Sequence, residues 1–182
     1  MRCCARSLGL SFLLLICASL SARQKPVERP VPRELAQVMV KLGLLESEEA
    51  EDFHATPIQL ADNAQTVILW PTPGSGWCGA TGSCQVFIFQ KMGNSYRSLL
   101  TDPIPVVKRV HVLNSFTNGY HDIQMDSEGG GISWELVVYR FDGKKYRLDR
   151  CFFKSFAVHE DANGEIKTSS RPTIERIKCP KE

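Results

Sequence analysis

Four cysteines after residue 77 are the side chains whose type could most directly do chemistry: Cys78, Cys84, Cys151 and Cys179. A cysteine thiolate beside a general base is a nucleophile, so one alternative is a cysteine-dependent hydrolase that uses Cys78 or Cys84. Its base would be His111 or His121. An even number of cysteines in an exported chain indicates disulfides instead, and these leave no thiol for catalysis.

Four cysteines allow three pairings, and the sequence alone does not choose among them. We favour Cys78–Cys84, because the glycines between these residues permit a tight loop, and Cys151–Cys179, which would tie the C-terminal segment to a strand. Zinc binding is disfavoured because the C-x5-C and C-x27-C spacings do not match paired zinc ligands. The sequence also lacks phosphate-loop, dinucleotide, G-x-S-x-G and H-E-x-x-H motifs, so we expect no catalytic residues, no metal and no cofactor.

The loop from Trp77 to Cys84 is the most distinctive candidate for binding. Its glycines could present backbone N–H groups to an anionic ligand. A second, weaker candidate is the segment 120–126, in which strand alternation would put His121 and Asp122 on opposite faces and so argues against a metal site. The candidate binding residues are Trp77, Gly79, Thr81, Ser83, Tyr120 and Asp122.

The N-terminal residues have the pattern of an export signal. Arg2 and Arg6 precede an apolar run, Leu8–Leu20, that ends in small residues and is too short to span a bilayer comfortably. We therefore predict a signal peptide over 1–22, a proline-rich leader without packed structure over 23–33, and one disulfide-bonded domain over 34–182. The bulky residue before Cys17 argues against a lipid anchor there. Export would place the mature chain in the periplasm or outside the cell.

The charge balance bears on the class of partner. Removing the signal lowers the basic residues from 22 to 20, which equals the number of acidic residues. A neutral chain is not expected to bind nucleic acid, because that binding depends on an excess of Lys and Arg. One local cluster of cations could meet an acidic partner or an anionic polysaccharide: Arg140, Lys144, Lys145, Arg147, Arg150 and Lys154.

The elements that must position these residues are mostly strands. One helical face is predicted near the N-terminus by apolar residues at i, i+3, i+4 and i+7, from Leu35 to Leu42, and Ser47 could cap a short second helix in the acidic run that follows. After residue 53, short apolar runs separated by turn signals predict an antiparallel sheet. Val86–Phe89 is apolar on both faces, which is typical of a central strand. We therefore predict a mainly β (α+β) fold of about 7–9 short strands, rolled or stacked, with one or two N-terminal helices.

Turn signals indicate where hairpins form. Asp142-Gly143 and Asn163-Gly164 are strong two-residue signals, and Gly93-Asn94 is a weaker one. Two of these turns belong to a weak repeat, in which an apolar strand, a glycine turn and a Tyr-Arg pair recur 50 residues apart. The simplest interpretation is a duplicated hairpin within one sheet, with Tyr96 and Tyr146 fixing the register.

The combination of the loop 77–84, the segment 118–123 and the hairpin from Tyr139 to Cys151 resembles a largely uncharacterised group of small exported bacterial β proteins. Those proteins carry a C-G-x-T-G-[NS]-C loop, a G-[YH]-x-D-[IL] segment and a Y-x-F-D-G-x-x-Y hairpin. The resemblance covers roughly residues 66–151 and implies location and fold. A looser similarity to periplasmic lysozyme inhibitors contributes no site residues.

These patterns lead to a functional expectation. We expect an exported, non-enzymatic module that binds a protein or an envelope component, with inhibition as one form that this binding would take. The alternatives are the cysteine-dependent hydrolase and a structural envelope protein tethered by its proline-rich leader. The partner and the oligomeric state are not specified by the sequence.

Overall fold

Strands dominate the computed structural model, which describes residues 27–100 and 105–180. Of these residues, 57% lie in strands and 9% in helices, which confirms the mainly β prediction. Twelve strands lie in these two ranges, more than the 7–9 expected, because three of them have only two residues. The elements in chain order are β1 (Arg29–Pro30), α1 (Arg33–Lys41), a 3-10 helix (Glu48–Asp52), β2 (Phe53–Ile58), β3 (Thr66–Pro71), β4 (Cys84–Gln85), β5 (Phe87–Met92), β6 (Ser95–Ser98), β7 (Val106–Val107), β8 (Arg109–Thr117), β9 (Tyr120–Gly130), β10 (Ser133–Phe141), β11 (Tyr146–Glu160) and β12 (Ile166–Ile177).

Helix α1 forms where the apolar spacing predicted it. Pro32 stands at its N-cap, where a missing N–H is tolerated, and Gly43 follows its end with φ of 68°. Leu35 and Met39 are fully buried on its inner side. The acidic run forms only the 3-10 helix, and the side chain of Ser47 makes no capping hydrogen bond. The N-terminal region therefore contributes one α-helix.

The first sheet has the order β1-β2-β3-β5-β6, and all its strand pairs are antiparallel. Its central strands are apolar on both faces, as predicted for Val86–Phe89. On one face, Leu69, Phe87 and Phe89 pack with the buried side of α1. On the other face, Ile68 and Ile88 belong to a second buried cluster. This sheet is therefore the middle layer of the molecule.

Part of the predicted leader belongs to the fold. Arg29 and Pro30 form β1, which pairs with Ala55 and His54 of β2, and Val31 packs against the cluster under α1. The prediction that 23–33 lacks packed structure is therefore wrong for its second half, where a proline is tolerated because the strand lies at a sheet edge. The predicted signal peptide lies outside the described residues.

The second sheet has the order β12-β11-β10-β9-β8 and packs on the far side of the first. Its inner face contributes Ile123, Met125, Phe141 and Tyr146 to the cluster that includes Ile88. A register shift interrupts each of its four strand pairings. Such shifts increase local twist, and the antiparallel sheets of this protein include a curled half-barrel. A small third sheet pairs β4 with β7.

Hydrogen bonds join the two large sheets where they meet. The backbone N–H of His121 donates to Leu60 O, and that of Tyr146 donates to Leu99 O, both at 2.7 Å. The Tyr146 hydroxyl donates to His121 O at 2.7 Å. Burial raises the pKa of Tyr146 well above its ordinary value, with smaller effects from Tyr120 and Asp122, so this phenol stays a donor.

The turns differ from the prediction both in their lengths and in which turn signals form two-residue connections. Three hairpins of the described residues have two-residue connections, Gly93-Asn94, Asn118-Gly119 and Gly131-Ile132, and both Asn118 and Gly119 have positive φ. A hairpin turn at Asn118-Gly119 was not predicted from the sequence. Asp142-Gly143 instead lies in a four-residue connection and Asn163-Gly164 in a five-residue one. The repeated hairpins β5–β6 and β10–β11 lie in different sheets, so the prediction of a duplication within one sheet is wrong.

The far end of the β11–β12 hairpin projects beyond the rest of the second sheet. The last residue of β11 that pairs with β10 is Ser155, opposite Ser133. One further hydrogen bond runs from the N–H of Phe156 to Ile132 O. Beyond that point β11 and β12 pair only with each other, and Val158 and Ile166 are exposed. We call residues 157–171 the ribbon.

Candidate functional site

The loop 77–84 is closed by a disulfide between Cys78 and Cys84, whose Cα atoms are 4.0 Å apart. Within the loop, the N–H of Gly79 donates to Ser83 O at 2.8 Å and the N–H of Gly82 donates to Gly79 O at 2.9 Å. These two amides therefore bond inside the loop and are not presented to an anionic ligand. The closure makes the loop a fixed structural unit.

The second disulfide joins Cys151 on β11 to Cys179, with Cα atoms 5.2 Å apart. Both favoured pairings are therefore present in the structure. With Cys78 and Cys84 bonded to each other, neither supplies the thiolate that a cysteine-dependent hydrolase needs. The proposed bases are engaged elsewhere: His111 contacts Asp126, and His121 Nδ1 lies 2.6 Å from Leu113 O.

The loop is attached to the second sheet by one lysine and one serine. Lys108 Nζ donates to Thr81 O at 3.2 Å and forms an ion pair with Glu128. Ser83 is buried, and its Oγ accepts a hydrogen bond from the N–H of Glu128 at 3.2 Å. Ser83 is therefore a structural anchor of the loop, because its burial prevents direct contact with a macromolecular partner.

Trp77 attaches the start of the loop to the first sheet. Its ring centroid lies 5.2 Å from that of Phe53 and 6.4 Å from that of Phe87, in tilted and edge-on arrangements. Trp77 is half-buried, whereas Gly79 and Thr81 are exposed. The predicted loop residues thus divide into anchors at the ends and an accessible crest between them.

An open groove of about 580 Å³ runs beside this crest. Trp77, Cys78 and Gly79 form one wall, and Gln85 and Val106 continue it. Two carboxylates, those of Glu49 and Asp52, line the same groove. The sequence did not indicate this groove, because its acidic residues come from the 3-10 helix and meet the loop only through the fold.

The second predicted segment lies on β9, and its residues are not among those that line the groove. Asp122 is only 1% exposed; it accepts hydrogen bonds from Ser115 and Thr117 at 2.7 Å each, and Arg140 Nε lies 3.7 Å away. Tyr120 is half-buried against Phe141, with ring centroids 4.1 Å apart. Asp122 therefore positions its neighbours and does not meet a partner directly.

The side of the second sheet that faces away from the buried cluster is a further candidate surface, which the sequence did not reveal. Residues directly opposite in antiparallel pairs share a face, so the registers define it. We call it the outer face; its residues are Arg109, His111, Asp122, Gln124, Asp126, Glu128, Trp134, Leu136, Val138, Arg140, Arg147, Arg150, Phe152, Lys154, Ile174 and Arg176. The alternation of acidic residues on β9 with Ile123 and Met125 was the available signal.

In the ion pairs on the outer face, the carboxylates are more buried than the cations. Arg140 Nε lies 3.3 Å from Asp149 and Arg150 Nε lies 2.8 Å from the same carboxylate, which the register shift in β11 brings to this side. His111 Nε2 lies 2.9 Å from Asp126. In these pairs the carboxylates are more buried than the cations: the Arg140 side chain is 47% exposed, against 26% for Asp149. The face therefore presents its cations outward.

Trp134 lies within this array of cations. Lys108 Nζ and the Arg109 guanidinium lie 5.4 Å and 5.2 Å from its ring centroid. Both distances are within the range of cation–π attraction. An aromatic ring and several fixed cations therefore share one surface next to Lys108, which also holds the disulfide loop.

Other types of site are not formed by the described part of the chain. Within 27–100 and 105–180, no group of three or more His, Cys, Asp or Glu side chains could hold a metal ion. In the same ranges, no helix has the length and apolar character needed to cross a membrane. No protein-family model, curated protein or solved structure matches the chain.

Proposed function

We propose that this protein is an exported, non-enzymatic binding module for a protein or an envelope component, and that the crest of the disulfide loop with the adjoining groove forms its binding site. The observation that carries the proposal is the groove of about 580 Å³ walled by Trp77, Cys78 and Gly79. These residues belong to the segment that the sequence alone had singled out.

Rigidity supports a binding role for the loop. The disulfide, the Trp77 ring contacts and the Lys108 hydrogen bond hold it in one conformation before any partner arrives. A preorganised loop loses little conformational entropy on binding, so more of its contact energy contributes to affinity. Gly79 and Thr81 are the exposed positions through which such contacts would be made.

The test uses Thr81→Arg, which places a large charged side chain on the crest, and Thr168→Arg as its matched control on the exposed ribbon. Proteins and polymers retained from envelope extract by the immobilised native protein would be identified, and their affinity for the two variants measured. We expect at least a tenfold loss for Thr81→Arg and none for the control. Equal affinity of both variants would refute a site at the crest.

Two further assays address the alternatives. A thiol count on unreduced protein is expected to find Cys78 and Cys84 blocked, and free thiols together with hydrolysis would favour the enzyme. Lysozyme assayed with the native protein and with Thr81→Arg would show whether binding takes the form of inhibition. Specific inhibition that Thr81→Arg abolishes would identify lysozyme as the partner.

A further inference from the structure

We infer that the outer face is a second binding surface, separate from the groove, and that it takes an anionic polysaccharide. The inference does not depend on the disulfide loop being a binding site. It rests on the charges of this face, on how its cations are held, and on the aromatic ring among them.

The charge of the face favours an anionic ligand. Four carboxylates lie on it, those of Asp122, Asp126, Glu128 and Asp149. Seven basic side chains stand against them, of which Arg147 also pairs with Asp142 in the adjoining turn: Lys108, Arg109, Arg140, Arg147, Arg150, Lys154 and Arg176. Because the carboxylates are the more buried partners, a ligand approaching from solvent meets mainly cations, and these attract a polyanion at long range.

The arginines are held in place before binding. Both Arg140 and Arg150 direct Nε toward Asp149, and Arg140 also lies beside the buried Asp122. Guanidinium groups recognise carboxylates and sulfates through several N–H donors, and a fixed orientation reduces the entropy lost on binding. The carboxylates therefore hold these arginines in a fixed arrangement through ion pairs.

The dimensions suit a polymer chain that lies across the strands. Measured along the sheet, four spacings of about 4.8 Å put the backbones of β8 and β12 about 19 Å apart, and the heads of Lys108 and Arg109 reach inward to Trp134 on β10. The Trp134 ring has Lys108 and Arg109 over it, and these contacts hold two further cations in place for the anionic groups of a sugar. One surface thus offers several fixed cations to an anionic sugar chain.

An acidic peptide fits this face less well. Extended peptides bind sheets at their edges, where unpaired N–H and C=O groups complete a ladder. In the middle of a sheet these groups already pair with neighbouring strands, so the face presents side chains only. A peptide lying on it would lose water from its backbone without gaining hydrogen bonds in return.

The experiment compares three probes: heparin as a sulfated polysaccharide, polygalacturonate as a carboxylated one, and poly-glutamate as an acidic polypeptide. The test variant is Arg150→Gln/Lys154→Gln/Arg176→Gln. The control removes three exposed cations from the helix and the first sheet, Arg33→Gln/Lys41→Gln/Lys91→Gln, with the same change in net charge. Circular dichroism checks the folding of each, and the single variant Lys154→Glu serves if the triple variant unfolds.

We expect the native protein to bind both polysaccharides more tightly than poly-glutamate, with affinity that falls as salt rises. The test variant should lose about tenfold in affinity, since three exposed ion pairs contribute roughly 0.2–1 kcal/mol each, and the control should lose little. Trp134→Ala should also weaken heparin binding, because it removes the ring that holds Lys108 and Arg109. Equal losses in test and control variants, or tighter binding of poly-glutamate, would overturn the inference, whereas loss with Thr81→Arg alone would locate binding at the groove.

Discussion

The two large sheets have five strands each but differ in the regularity of their strand pairing. In the first sheet, the four pairings keep an uninterrupted register, and both faces are covered, by α1 on one side and by the second sheet on the other. In the second sheet, each pairing contains a register shift; its apolar face packs on the first sheet, and its outer face carries ion pairs among buried residues such as Val138, which is 3% exposed. The first sheet therefore serves stability, and the second exposes side chains that can meet a partner.

The comparison shows where irregular backbone is tolerated. A shift in a strand that is packed on both faces would move apolar side chains out of two layers at once. In the second sheet, the shift between Val138 and Tyr139 places Asp149 on the outer face, where it holds Arg140 and Arg150. This register shift thus brings Asp149 to its two arginines without displacing side chains of the apolar cluster.

The largest expected difference between the sheets is the cost of losing a large side chain. Phe89 of β5 is fully buried, so Phe89→Ala should lower the free energy of unfolding by about 4 kcal/mol. Phe153 of β11 is exposed, and Phe153→Ala should cost less than about 1 kcal/mol. Urea denaturation measures both losses. Similar losses would contradict the conclusion that the first sheet serves stability more than the second.

The disulfides should also differ. Cys151–Cys179 closes a separation of 28 residues and Cys78–Cys84 one of 6. Loop-closure entropy then gives a loss of about 3.5 kcal/mol for Cys151→Ser/Cys179→Ser and about 2 kcal/mol for Cys78→Ser/Cys84→Ser. Thermal unfolding of the two double variants would show this order. A larger loss in the short loop would mean that its contacts, more than its closure, hold the first sheet to the second.

A smaller effect is expected at the outer face. Asp122→Ala removes the acceptor of Ser115 and Thr117 and one of the carboxylates beside Arg140, which should cost about 2 kcal/mol. The matched change at an exposed carboxylate, Asp62→Ala, should cost less than about 0.5 kcal/mol. Denaturation under the same conditions compares the two, and equal costs would show that Asp122 does not support the face.

The smallest expected effect is a pH dependence of folding stability, which arises from Asp142 in the turn that joins β10 to β11. The N–H of Lys145, the side chain of Arg147 and the N–H of Lys144 lower the pKa of Asp142 from 3.8 to about 2. A carboxyl with a lowered pKa stabilises the fold above its unfolded value of 3.8, and the contribution disappears as the pH falls through about 2. Asp142→Asn should therefore be less stable than the native protein at pH 5, and the difference should shrink as the pH falls toward 2 and vanish below it.

Proton titration of Asp142 by nuclear magnetic resonance provides the direct check. A midpoint near the ordinary value would show that the turn is not held by these hydrogen bonds. The first sheet supplies the contrast, because its β5–β6 connection is the two-residue turn Gly93-Asn94, which contains no carboxylate.

Local patterns were enough to predict much of the scaffold. The spacing from Leu35 to Leu42 predicted α1, because one helical face must be apolar to pack on a sheet. The doubly apolar run Val86–Phe89 predicted a strand inside the sheet, and both favoured disulfides are present. Alternation also predicted that Asp122 and Ile123 lie on opposite faces of their strand, and Ile123 packs in the apolar cluster whereas Asp122 lies beside Arg140.

Features that depend on pairing between distant segments were missed. The groove joins Glu49 to Trp77, and the outer face joins His111 to Asp126, in each case through contacts that no local pattern encodes. Register shifts were equally hidden, since one inserted residue such as Asp149 leaves little trace in the alternation. The strand count was too low because two-residue strands carry no periodicity.

The ribbon has a practical consequence. Its tip at Asn163-Gly164 lies six or seven residues beyond the end of β10, a distance of about 20 Å at the rise of an extended strand. No residue of the ribbon lines the groove or belongs to either buried cluster, so extra sequence inserted at its tip should leave folding intact. A fluorophore or an affinity tag placed there would allow the protein to be immobilised and imaged with both candidate surfaces left accessible.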